Sequence, residues 1–168
     1  PAIRAVFGQY PRGDARHIPF DIADLGAEAT SPLLHALQWL LQLPQQRARL
    51  SELVELLEVP AVAARIGLQA EDLPTLARWM GGAGIRWGLS AAHRDGLGLG
   101  LCGEDNTALF GLQRMLMGYA CGADPLPLQA LGIAPYAEVG GLDAELAGAL
   151  AQLVQSLLDW WQQASTPA

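Results

Sequence analysis

No lysine occurs anywhere in this chain of 168 residues. That absence excludes P-loop nucleotide hydrolysis within it, because the G-x-x-x-x-G-K-[ST] loop needs the lysine to reach the terminal phosphates. All ten basic residues are arginine, and seventeen acids outnumber them, for a net charge of -7. DNA affinity depends largely on phosphates neutralised by Lys and Arg, so the chain alone is expected to hold DNA weakly. Cysteine is scarce. Cys102 and Cys121 make no disulfide framework, and two free thiols in a reduced, cytoplasmic setting are expected. No apolar run reaches the ~18 residues that span a bilayer, so no membrane partner is expected. His17, His35 and His93 lie far apart, with no Cys or carboxylate at ligand spacing, which argues against a metal or other cofactor. There is no G-x-S-x-G elbow, and neither cysteine has a persuasive histidine partner, so no catalytic residue is assigned. The chain starts at Pro1 without a signal peptide and is expected to be a piece of a longer protein.

What is present is apolar: 51% of the residues, enough for one packed domain. Residues 1–8 look like a helix end stopped by Gly8, and QYPRGDAR is loop chemistry. In HIPFDIAD, from His17 to Asp24, Ile18, Phe20 and Ile22 alternate with Pro19, Asp21 and Ala23. That is a short or edge strand. From there the pattern is helical. Ser31 is a good N-cap with Pro32 at the first helical position, and Leu33, Leu34, Leu37, Leu40 and Leu41 form the expected inward face. Ser51 is the expected cap of the next helix, with Leu53, Val54 and Leu57 inward and Glu52, Glu55 and Glu58 outward. Pro60 opens a short helix ending at Gly67, and another runs from about Glu71 to Met80. Ser90 caps a short helix bearing His93 and Arg94. A longer helix starts near Asp105 or Asn106 and runs to Tyr119. CGADPLPLQALGIAP is a surface loop. Gly141 to Ala164 forms a long amphipathic helix striped by Leu142, Leu146, Leu150, Leu153, Leu157 and Trp161.

Three motifs invite chemistry. GLGLCG, from Gly98 to Gly103, fits the dinucleotide pattern G-x-G-x-x-G. It follows no strand and opens no βαβ unit, so it reads as a flexible loop. Arg12-Gly13-Asp14 reads as a turn. LSELVELLEVPAVAARIGL has the outline of a helix-turn-helix, but its second helix offers only Arg65 to DNA and its first exposes glutamates. A packed helical pair is the better reading. The tryptophans are core or interface residues by default. Trp87, between Arg86 and Gly88 in a non-periodic segment, is the exception.

Five segments carry a family likeness: Ile18 to Arg47, Leu50 to Leu68, GIRWGLSAAHR (Gly84 to Arg94), EDNTALFGLQRMLMGYA (Glu104 to Ala120) and GIAPYAEVGGLDAEL (Gly132 to Leu146). In this order they resemble the RecC family, the gamma subunits of exodeoxyribonuclease V. The resemblance implies a superfamily 1 helicase fold that has lost its ATPase motifs. It places residues 1–30 as a remnant of a 2A-like domain, residues 31–164 as a helical 2B-like insertion, and residues 165–168 as a tail. The fold class expected is mainly α with a small N-terminal β remnant. It further implies RecB-like and RecD-like partners, and DNA in the context of that complex. Asn106, Phe110, Gly111, Arg114, Gly118 and Tyr119 match the family pattern. Ala108 and Leu109 depart from it where an aromatic and an arginine are usual, which weakens any contact those made. Arg86, Trp87, Arg94 and Arg114, all in the most RecC-like segments, are the candidate DNA or subunit contacts. Local salt bridges of these arginines to Asp95, Glu104 or Asp105 are the plainer alternative. A stand-alone helix-turn-helix regulator and an α-helical domain of an unidentified enzyme are the other functional readings.

Overall fold

Proline and glycine punctuation cuts the first part of the helical region into short helices. The computed structural model describes residues 9–10, 14–17, 31–121, 132–141 and 144–165. Among these residues there are seven α-helices: α1 (Pro32–Leu41), α2 (Leu50–Leu57), α3 (Pro60–Arg65), α4 (Leu73–Gly82), α5 (Ala91–Gly96), α6 (Ala108–Cys121) and α7 (Ala144–Ser165). Short 3-10 turns lie at Leu43–Gln45 and Gly100–Cys102. The only β pairing among the described residues is one antiparallel bridge between Arg49 and Trp87. Beyond His17, the expected strand lies outside the described residues, as do the helix end over residues 1–8 and most of the expected loop after Cys121. The molecule is mainly α, as the sequence indicated.

Two compact units divide the chain, Pro1–His35 and Ala36–Ala168. In the first, the Asp14 carboxylate accepts hydrogen bonds from Nε and Nη2 of Arg16 at 3.0 and 2.9 Å. The Arg16 guanidinium also lies 4.3 Å from the centre of the Tyr10 ring. The expected loop chemistry is thus a tight local knot of side chains.

The second unit is built on α2, α4, α6 and α7. Helix α2 packs on α3 and α4, α4 on α6, and α6 on α7, while α7 also meets the Leu43–Gln45 turn. Of the expected α7 stripe, Leu150, Leu153 and Leu157 are buried, Leu146 and Trp161 are half-buried against the core, and Leu142 lies outside the described residues; Ala147, Val154 and Leu158 widen the face. From α2 come Leu53, Leu56 and Leu57, from α4 Leu76, Trp79 and Met80, and from α6 Leu112 and Met115. Each side chain this size contributes about 1.5–3 kcal/mol when fully buried, so these four helices carry most of the core.

Two local expectations are corrected. The N-cap of α2 is Arg49, not Ser51: the Glu52 carboxylate accepts the Arg49 backbone N–H at 2.8 Å, which satisfies one orphan donor from the third helical position. The α1 face is also rotated. Ala36 is buried and Trp39 and Leu40 pack on the core, whereas Leu33, Leu37 and Leu41 are 54%, 50% and 63% exposed. The Trp160 indole N–H of α7 donates to the Leu40 carbonyl at 2.8 Å, which fixes that rotation. A helix apolar on two sides gives no sequence signal for which side meets this core.

Candidate nucleic-acid or subunit interface

The segment from Gly84 to Arg94 is where sequence singles out residues, and the structure shows why it is unusual. It runs without regular structure apart from the bridge at Trp87, with Ile85 and Leu89 buried, then turns into α5. Ser90 caps α5 as expected, its hydroxyl accepting the His93 N–H at 3.2 Å. Gly88 has φ +81, and a Cβ there would lie 2.8 Å from Nε of Arg94. Only glycine both adopts that backbone freely and leaves room for the arginine.

Arg94 takes that room. It is 2% exposed. Nη1 donates to the carbonyls of Cys102, Gly103 and Asp105 at 3.1, 2.8 and 2.8 Å, and Nη2 donates to the Trp87 carbonyl at 2.8 Å. The guanidinium lies 4.0 Å from the centre of the Trp87 ring. These partners are backbone carbonyls, neither a surface contact nor the anticipated carboxylate salt bridges. One buried cation thereby ties the glycine-rich loop to α5 and to Trp87. That loop, the GLGLCG stretch, holds a 3-10 turn and follows a helix, so it lacks the dinucleotide-binding context. Its exit is closed by Glu104, whose carboxylate accepts the Ala91 backbone N–H and the Thr107 hydroxyl.

Arg114 is also occupied. Its Nε donates to the Ala134 carbonyl and its Nη1 to the Ala83 carbonyl, each at 2.7 Å. It joins α6 to the end of α4 and to the segment at residues 132–141. Arg86 is exposed, with Nη1 donating to the carbonyls of Gly81 and Ile85 at 2.9 and 2.8 Å. Of the four candidates, Trp87 and Arg94 are therefore brought into contact, while Arg114 sits elsewhere as a brace.

The structure adds two residues that the sequence did not single out. The bridge pairs Arg49 with Trp87. Gly88 N–H donates to the Arg47 carbonyl at 2.8 Å, and Leu50 N–H to the Arg86 carbonyl at 2.9 Å. The Arg47 guanidinium comes 6.0 Å from the centre of the Trp87 ring. Arg47 and Arg49 are exposed, and neither forms an ion pair among the described residues. The half-buried indole of Trp87 thus has Arg94 close on its ring and Arg47 at a looser distance. The only hint in sequence was the RAR triplet at Arg47 to Arg49, forty residues from the tryptophan it meets.

His93, beside Arg94, is fully buried. Its Nδ1 accepts the Leu89 N–H at 3.4 Å, which places the ring proton on Nε2, and its ring meets Trp161 edge-on with centroids 5.5 Å apart. Burial, aided by the neighbouring Arg94 charge, holds its pKa below the usual histidine value, against an opposing backbone contact at Leu43. A histidine less basic folded than unfolded contributes full stability above the unfolded pKa of ~6.5 and loses it as pH falls below that value. Urea melts are expected to show a less stable domain at pH 5.5 than at pH 7.5, with a smaller difference in His93→Phe. An equal loss in that variant would show that another group titrates.

Residues 30–168 match the family described as RecBCD enzyme subunit RecC fourth domain. The chain is 40% identical over 160 residues to RecBCD enzyme subunit RecC of Escherichia coli K12, covering 95% of this chain and 14% of that protein. It is 35% identical over 143 residues to the Mycobacterium tuberculosis H37Rv subunit, covering 85% and 13%. With the Haemophilus influenzae subunit it shares 33% over 159 residues, covering 94% and 13%. The chain spans about one seventh of the length of these relatives. On this likeness, which runs through all the segments described above, the chain belongs to the RecC family and corresponds to its fourth domain.

Proposed function

We propose that this chain is a non-catalytic scaffold domain of the exodeoxyribonuclease V gamma subunit, acting in the repair of DNA double-strand breaks. It shapes the enclosure through which separated strands pass and braces RecB-like and RecD-like subunits. The observation that carries this reading is the RecC match, which extends over nearly the whole chain at up to 40% identity. The missing lysine agrees with it, since no P-loop can operate here. The regulator reading has less support: α3 is six residues long and offers Arg65 as its one basic side chain.

The purified chain is expected to show no DNA-stimulated ATP turnover. At physiological salt it should bind DNA no tighter than roughly 10⁻⁴ to 10⁻⁶ M, the non-specific range. ATP hydrolysis by a homogeneous sample would overturn the scaffold reading, and tight sequence-selective binding in fluorescence anisotropy would favour a regulator. In the full-length subunit, removing this domain should abolish co-purification with RecB and RecD. Intact assembly without it would defeat the bracing role.

A further inference from the structure

We propose that Arg47, Arg49 and Trp87 form a seat for the phosphodiester backbone of a single DNA strand. This deepens the DNA-handling reading above and rests on it. Three observations carry it.

The first is placement. Two segments distant in sequence are locked by the Arg49–Trp87 bridge and its flanking backbone hydrogen bonds. Residues directly opposite in an antiparallel pair project their side chains to the same face, and the Arg47 head lies over the same indole. Arg94 anchors Trp87 from the interior through its Nη2 bond to the Trp87 carbonyl. The seat is thus built on pinned backbone before any ligand arrives.

The second is charge. In a chain of net charge -7, Arg47 and Arg49 stand exposed with no ion pair among the described residues. By contrast Arg78 is paired with Glu138, and Arg94 and Arg114 are bound to carbonyls. Arginine forks suit phosphate oxygens, and an aromatic beside them suits a strand whose bases are unpaired, without demanding a sequence.

The third decides between strand and protein. A protein interface has an apolar centre. Among the described residues, none of the large exposed apolar side chains lies in the segments that build this cluster; they belong to α1, the loop tip at Leu101, α6 and α7. Two acids flank the cluster, Glu52, whose carboxylate accepts the Arg49 backbone N–H, and the exposed Asp105, so the affinity for phosphate is expected to be low.

The test uses the 168-residue chain and a fluorescein-labelled twelve-nucleotide oligo-dT, titrated at several salt concentrations from low to physiological. Each arginine engaging a phosphate contributes about 0.7 to the slope of log affinity against log salt for a single strand. Arg47→Ala and Arg49→Ala are each expected to weaken binding several-fold at low salt and to flatten the slope by about 0.7, and the double variant by about 1.4. Both side chains are exposed, so the circular-dichroism melt should not move. Arg65→Ala removes the same charge outside the cluster and should leave the slope alone. Unchanged slopes in the cluster variants, or equal flattening in Arg65→Ala, would overturn the proposal. Variants that bind DNA normally but lose RecB or RecD in the full-length subunit would also overturn it and make the seat one for partner carboxylates. The scaffold reading is judged separately, by the deletion experiment, so the two can fail independently.

Discussion

Replacing Arg94 with alanine is expected to destabilise the domain by on the order of 3 kcal/mol, a large part of the ~5–15 kcal/mol that holds a typical domain folded. The magnitude follows from what the side chain does. Four carbonyls, of Trp87, Cys102, Gly103 and Asp105, point at one buried guanidinium. Truncation leaves them facing a cavity, and an unsatisfied buried polar group costs about 1–3 kcal/mol. The ring contact with Trp87 at 4.0 Å goes as well. Arg94→Lys should recover little, because one ammonium cannot reach carbonyls fanned around a planar fork. Arg86→Ala should cost much less, since that residue is exposed. Urea denaturation of the three variants would show this order. Similar stabilities for Arg94→Ala and wild type would mean that the carbonyls find water when the arginine leaves, and that the loop does not depend on it.

Arg94 also marks where sequence reading stops. The α5 cap at Ser90 and the α7 stripe were legible because each is a local rule: a hydroxyl three residues before its N–H, and leucines at helical spacing. The RecC likeness was legible because five segments occur in the family's order. The interior position of Arg94 was not. Arginine is normally at the surface, and the partners that draw it inside are backbone carbonyls, which look the same at every residue. The signal that was available lay in Gly88, whose missing Cβ makes the channel, but a glycine beside a tryptophan reads as a turn until both ends of the chain are placed. The rotation of α1 was equally hidden, because Leu37 and Leu40 are alike in type and differ only in what stands opposite them. The Arg47 and Arg49 contribution was hidden for a further reason. It depends on a pairing between Arg49 and Trp87, 38 residues apart, and one bridge leaves no periodicity to find.

Gly118→Ala is expected to destabilise the domain although alanine is the better helix former. Alanine in a helix interior is favoured over glycine by about 1 kcal/mol, so an unobstructed site would gain stability. Gly118 in α6 is obstructed. A Cβ there would collide with the backbone carbonyl of Tyr136, and a backbone atom cannot swing aside as a side chain does. The segment at residues 132–141 is seated at that point by the Tyr136 N–H bonding the Arg114 carbonyl at 2.9 Å and by Arg114 Nε bonding the Ala134 carbonyl. Tyr136 also packs against Gly82 of α4, where an added Cβ would come within 2.7 Å of its ring. Overpacking of this kind costs typically 1–3 kcal/mol, and occasionally more where backbone must move, so the clash outweighs the propensity gain. The internal comparison is Gly148 of α7, where a Cβ meets nothing within 4 Å. Gly148→Ala should raise stability by up to about 1 kcal/mol while Gly118→Ala lowers it. Thermal melts of the two variants should therefore shift in opposite directions. Hydrogen exchange should also rise at the Tyr136 amide in Gly118→Ala alone. Two shifts of the same sign would show that the segment does not rest on α6 closely enough to require the glycine.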